Sequence, residues 1–275
     1  MHAGNIFCCR FFYVYNRTNS RVMILLISPA KSLKEEPNMR PTYSLPRYKK
    51  ETFELVKALR RYREDDLMAM MNISGKLATE NIKRYKSFRK EHNRENSLIA
   101  IDTFNGDVYQ GLMASTWNTQ EMSFAQDHLR ILSGLYGVLR PLDLMHPYRL
   151  EMGTRLKTDK GSNLYQFWDD KITKTISKEL KSLGSDIVIN LASNEYFKVI
   201  KKDKLEGRII TINFKEWRDG SLKFISFNAK KARGMMARYI IQNQITEPDD
   251  IKGFDTGNYA FDEANSSENE WLFVR

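Results

Sequence analysis

Apolar residues in this chain gather into short continuous runs more often than into strict alternation. The run Met23-Ile-Leu-Leu-Ile27, ended by Ser28-Pro29, predicts a buried strand followed by a turn. Residues 98–101 form a second run, closed by Asp102 and the turn signal Asn105-Gly106. Residues 186–192 give the best strand pattern, with Ser193-Asn194 placed to cap a helix over 195–200. Stretches 209–214 and 222–227 predict a hairpin turned at Asp219-Gly220, while 149–152 and 271–274 offer two more strands. Helical periodicity covers 52–88, interrupted at Asn72-Ile-Ser-Gly75, and returns over 124–139, 164–183 and 229–244. Gly134 and Gly137 suggest close packing in the first of these later helices, and Gly184 stands where a helix C-cap belongs. Together these elements predict an α/β protein of mixed α+β type, one compact domain over 23–275, with a helical insertion near 52–95.

The first 22 residues lack periodicity, and their basic residues follow or interrupt an aromatic patch, so they make a poor signal peptide. Met23 is the expected start of the domain. Both cysteines, Cys8 and Cys9, lie in this extension, which leaves 23–275 without a disulfide, a Cys-bound zinc or a cysteine nucleophile. The four histidines are scattered without ligand spacing, so no metal and no cofactor is expected. No run is long and apolar enough to span a membrane, and a cytoplasmic, monomeric protein is expected.

Charge changes the picture more than hydropathy does. The chain has 44 Lys+Arg against 34 Asp+Glu, a formal net charge of +10. Such an excess steers polyanions toward a protein without specifying which. Residues 67–78, Leu-Met-Ala-Met-Met-Asn-Ile-Ser-Gly-Lys-Leu-Ala, look like a helix-hairpin-helix element, in which a tight turn and the next helix N-terminus bind phosphate. Asn72-Ile73-Ser74 stand at its Gly-x-Gly positions; Asn tolerates a left-handed backbone, but the substitution weakens the match. Lys76, Lys83 and Arg84 extend the positive surface. An ordinary helical hairpin with a basic face fits equally well.

The segment 134–153 is stiffened by Pro141 and Pro147 and presents Arg140, Asp143, His146, Tyr148, Arg149 and Glu151. Dense polar groups on a stiff loop often mark a site, although Arg149 and Glu151 can equally pair to hold the loop. Three segments are candidates to meet it: 28–32 with Lys31, 190–198 with Glu195 and Lys198, and 227–238 with Lys230, Lys231 and Arg233. Tyr148, Tyr165, Trp168, Tyr196 and Phe197 lie near these charges and are candidates to stack on bases, though such aromatics more often fill cores.

The blocks Met23-Ile-Leu-Leu-Ile-Ser-Pro-Ala-Lys-Ser-Leu33, Phe104-Asn-Gly-Asp-Val-Tyr-Gln-Gly-Leu112, Leu132-Ser-Gly-Leu-Tyr-Gly-Val-Leu-Arg-Pro-Leu-Asp143, Pro147-Tyr-Arg-Leu-Glu-Met-Gly153, Asn190-Leu-Ala-Ser-Asn-Glu-Tyr196 and Asn228-Ala-Lys-Lys-Ala-Arg-Gly234 run in order along the chain. In them the sequence resembles the YaaA peroxide stress family from Met23 to its C-terminal helix. That resemblance implies an α/β domain with a basic cleft and a helix-hairpin-helix element. It also implies DNA binding and survival of hydrogen peroxide by limiting free intracellular iron. The expected partner is therefore DNA, duplex or distorted. Lys31, Lys76, Lys83, Arg84, Arg140, Arg149, Lys198, Lys230, Lys231 and Arg233 are its candidate phosphate contacts. A binding role is preferred. The alternative is an enzyme acting on a nucleotide or nucleic acid in the same cleft, with Glu151 or Glu195 as acid/base.

Overall fold

The computed structural model describes residues 23–36 and 40–275; the extension 1–22 lies outside them. The strands are β1 (Met23–Ile27), β2 (Leu98–Ile99), β3 (Leu129–Ser133), β4 (Gly137–Leu139), β5 (Leu144–Met145), β6 (Ile187–Asn190), β7 (Arg208–Arg218), β8 (Ser221–Lys223), β9 (Ala260–Phe261) and β10 (Glu270–Val274). The α-helices are α1 (Lys49–Leu59), α2 (Glu64–Met71), α3 (Gly75–Ser87), α4 (Ala100–Thr103), α5 (Asp107–Leu112), α6 (Thr119–His128), α7 (Leu164–Trp168), α8 (Lys171–Leu183), α9 (Asn194–Phe197) and α10 (Ser226–Gln242).

Five strands run parallel in the order β3-β1-β6-β7-β10, with antiparallel β4 and β9 at the two edges and β8 paired to the end of β7. All five residues of β1 and all four of β6 are buried, because helices cover both faces of a parallel sheet. One apolar cluster runs from Met23 to Phe273 and takes in Leu55, Val56 and Leu67 of the helical insertion. The mixed α/β class is as expected.

The chain lays β1 down first, adds β3 on one side, and later returns to place β6 on the other. Strand order therefore reverses between β1 and β6. In open parallel sheets such a switch point leaves a crevice at the carboxyl ends of the strands.

Several expected boundaries move. The run 124–139 is not one helix: α6 stops at His128, and β3 and β4 follow. A continuous apolar run suits a buried strand as well as a buried helix, and here the sheet wins. Gly137, at φ +70°, turns the chain between the two strands. Residues 149–152 form no strand; a carbonyl here, that of Leu150, comes so near Gly134 that a Cβ would lie 2.3 Å from it. The helix over 164–183 breaks at Asp169, which has φ +45°, and 98–101 passes from strand to helix after Ile99. At the hairpin, Asp219 and Gly220 both have positive φ, as a two-residue turn of this twist requires. Strand β8 is cut short by the start of α10 at Ser226.

Candidate functional site

The polar groups of the switch point are set by how β1 and β6 end. Beyond Ile27 the Ser28 hydroxyl accepts the Ser193 amide hydrogen (2.9 Å) and lies 3.3 Å from the Ser193 hydroxyl. Both loops are thus fastened together at the bottom of the crevice. The phenol of Tyr109 donates to the Ser28 carbonyl, and the Asn105 amide donates to the Ser32 carbonyl. These bonds bring the start of α5 alongside the loop that carries Lys31.

Over this floor hangs the proline-stiffened loop. Its Glu151 carboxylate bonds Lys31 at 2.7 Å and the Arg149 guanidinium at 3.0 Å. The Lys31 side chain is 63% exposed, whereas those of Arg149 and Glu151 are 16% and 20% exposed. One carboxylate between two cations leaves the group net positive, with the ammonium the more exposed of the two cations and the guanidinium the more buried. The loop's far end is held by Glu195, whose carboxylate accepts the Gly153 amide hydrogen at 3.0 Å. Tyr165 donates to the Glu195 carbonyl, and the Lys198 ammonium sits 5.2 Å from the Tyr165 ring centroid. Burial first, and the Glu195 charge second, raise the Tyr165 pKa, so its phenol stays a donor. Lys230 of α10 approaches Asp107, the first residue of α5, at 3.9 Å.

Lys31, Arg149 and Glu151 thus form one bonded group, and Glu195 is tied to the end of the same loop; Lys198 stands beside Tyr165, Lys230 beside Asp107, and Lys231 is exposed next to Lys230 on α10. Other candidates stand elsewhere. Arg140 bonds Asp143 and the Leu45 carbonyl beside Arg47, at the amino end of β3, because antiparallel β4 carries the chain back down the sheet. Arg84 is held on α3 by Glu35 and Glu80. Lys76 and Lys83 are exposed on the same helix. Arg233 is largely buried, its Nε has no hydrogen-bond partner among the described residues, and burial lowers its pKa. The stacking candidates Tyr148, Trp168, Tyr196 and Phe197 are buried; only Tyr165 is partly open. Tyr148 instead bonds the Ser133 hydroxyl at 2.7 Å.

The α2–α3 pair turns as expected, with Asn72 left-handed at φ +49° and Ser74 capping α3. Its anion seat is taken, however. The Glu64 carboxylate accepts from Thr79 and lies 3.0 Å from where a Gly75 Cβ would stand, beside the first turn of α3. A carboxylate there already uses the positive end of the helix dipole.

A separate concavity of about 660 Å³ lies between α1 and residues 157–160. It mixes Lys57, Arg61, Lys157 and Lys160 with Glu54, Asp66 and Asp159, and no strand end opens into it. The Lys31–Glu151–Arg149 group, unlike this concavity, stands beside the ends of β1 and β6.

The fold defines an open, mainly parallel α/β protein whose strand order reverses between β1 and β6. The chain belongs to the YaaA peroxide stress protein family, whose model, described as "Peroxide stress protein YaaA", matches residues 23–265. Three curated relatives, each named UPF0246 protein, come from Saccharophagus degradans, Cupriavidus metallidurans and a Marinomonas species. They are 48%, 48% and 49% identical to this chain, over 92% of it and 99%, 98% and 97% of their own lengths. Membership supports a role related to peroxide stress. Among the described residues no helix is long and apolar enough to cross a membrane.

Proposed function

We propose that this peroxide-stress protein holds nucleic acid by its phosphates along the switch-point crevice, and so limits damage to DNA by iron and peroxide. The observation that carries this reading is the Lys31–Glu151–Arg149 group, two cations on one carboxylate beside the ends of β1 and β6; Lys230 and Lys231, exposed on α10, add further charge. A phosphate entering here meets a positive field and side chains already ordered. Contacts of this kind fix position without reading bases.

The test is fluorescence-anisotropy binding of duplex and bubble-containing DNA over a salt series. Binding should weaken steeply with salt, and changing Lys230 and Lys231 to Ala should lower the log–log slope by about 2, at roughly 0.9 per phosphate contact. Absence of binding at low salt would remove the reading.

A second reading, an enzyme acting on a nucleotide or nucleic acid, draws on the two immobilised carboxylates, Glu151 and Glu195. Glu195→Gln separates the two. DNA affinity should hold or rise slightly, and only an enzyme would lose turnover, about 100-fold or more for a general acid–base.

A further inference from the structure

Among the described residues six large apolar side chains stand out in solvent, and three of them fall within the eleven residues 217–227. Trp217 is 58% exposed, Phe224 57% and Phe227 54%. Their closeness along the chain follows from the hairpin. Trp217 pairs across the ladder with Leu222, so both project from one face, and Phe224 comes directly after Lys223, the last residue of β8. Phe227 follows in the first turn of α10. The hairpin is also an overhang. Pairing of β6 with β7 ends at Thr211 and that of β10 with β7 at Lys215, whereas β7 runs on to Arg218. The aromatic tip thus projects past the carboxyl edge of the sheet, the edge on which the crevice opens. Lys230 and Lys231, one turn beyond Phe227, are exposed, and Lys230 reaches toward Asp107 at 3.9 Å.

We infer that Trp217, Phe224 and Phe227 form a stacking platform for unpaired bases, so that the protein engages single-stranded or locally opened nucleic acid in preference to closed duplex. This rests on the nucleic-acid reading above and adds to it the state of the strand. A strand whose phosphates lie along Lys230 and Lys231 would lay its bases toward the hairpin tip. Aromatic faces flanked by cations bind splayed bases of any sequence, whereas the stacked interior of a duplex offers them nothing. The charge favours a polyanion: around the tip the exposed cations Arg218, Lys223, Lys230 and Lys231 outnumber the one exposed carboxylate, Asp219.

Tryptophan emission reads this surface directly, because Trp117, Trp168 and Trp271 are buried and Trp217 is not. The full chain would be titrated with an oligo(dT) strand and with a matched duplex, following emission and anisotropy. Quenching by the single strand, lost in Trp217→Ala, is expected. Phe224→Ala and Phe227→Ala should each weaken single-strand binding roughly tenfold and leave duplex binding nearly unchanged; Phe224→Tyr should retain it. Equal affinity for both nucleic acids, untouched by these substitutions, would overturn the platform and leave the phosphate reading standing. No binding of either would overturn both. Self-association in sedimentation that Trp217→Ala abolishes would assign the surface to a second copy and overturn the inference.

Discussion

Glu216 is buried (3% exposed) just where β7 leaves the sheet, and it gathers Arg218, Asn228, Tyr259 and the side chain of Arg275 around its carboxylate. Burial alone would raise its pKa; the donors Arg218, Asn228 and Arg275 outweigh that and hold it at about 2. The unfolded carboxyl titrates near 4.5, so below that pH the unfolded state binds the proton first and stability falls until about pH 2. His92 adds an earlier step. Burial, and then the neighbouring His146, lower its pKa from 6.5 to about 4, so it stays neutral when folded while the unfolded residue charges, and stability falls as pH drops from 6.5 to 4. Urea midpoints should therefore decline in two stages on acidification. Glu216→Gln should flatten the stage below 4.5 and lower stability at neutral pH. At this scale the site was partly legible. Lys31, Arg149, Glu151 and Glu195 were visible as polar residues beside predicted turns. Asp107, Tyr109 and Glu64 were not, because their roles come from contacts across the fold. The exposed aromatics were hidden for a similar reason: hydropathy counts Trp217 and Phe227 as core candidates, and only the overhang of β7 puts them in water.

Helices α5 and α10 meet backbone to backbone. A Cβ on Gly234 would stand 1.8 Å from the Val108 carbonyl oxygen, and one on Gly111 would stand 2.1 Å from that of Lys231. Neither carbonyl can yield without moving its helix, so Gly234→Ala should cost about 3 kcal/mol, the upper part of the overpacking range, in denaturant unfolding. The same displacement would separate Lys230 from Asp107, so salt-dependent DNA binding should fall with it. Elements with capping or turn residues were the legible ones: the Gly184 C-cap, the Ser193 N-cap and the Asp219-Gly220 turn all stand where expected. Runs without punctuation were not. Nothing between Phe124 and Leu139 marks the passage from helix to strand at Leu129, since Leu129 and Ile131 are apolar in either state and only pairing with β1 decides.

For the whole molecule, composition announced a basic protein but not where its charge collects. Much of it is spent on internal pairs, as at Arg47 and Arg130 on Glu179 or Arg140 on Asp143. At the switch point one carboxylate, Glu151, is shared by Lys31 and Arg149, which a charge count does not reveal. Topology was the least legible layer, because the order β3-β1-β6 depends on pairings between residues far apart in sequence. That order has a consequence for how the protein is made. Strand β1 leaves the ribosome first, yet Leu25 must wait for Leu129 on one side and Ile189 on the other. Until then Met23–Ile27 is a bare apolar strand with two unsatisfied edges, the kind of segment that recruits other nascent chains. Refolding should accordingly be slow and concentration-sensitive, its yield falling as protein concentration rises, and a chain released before Ile187 should precipitate.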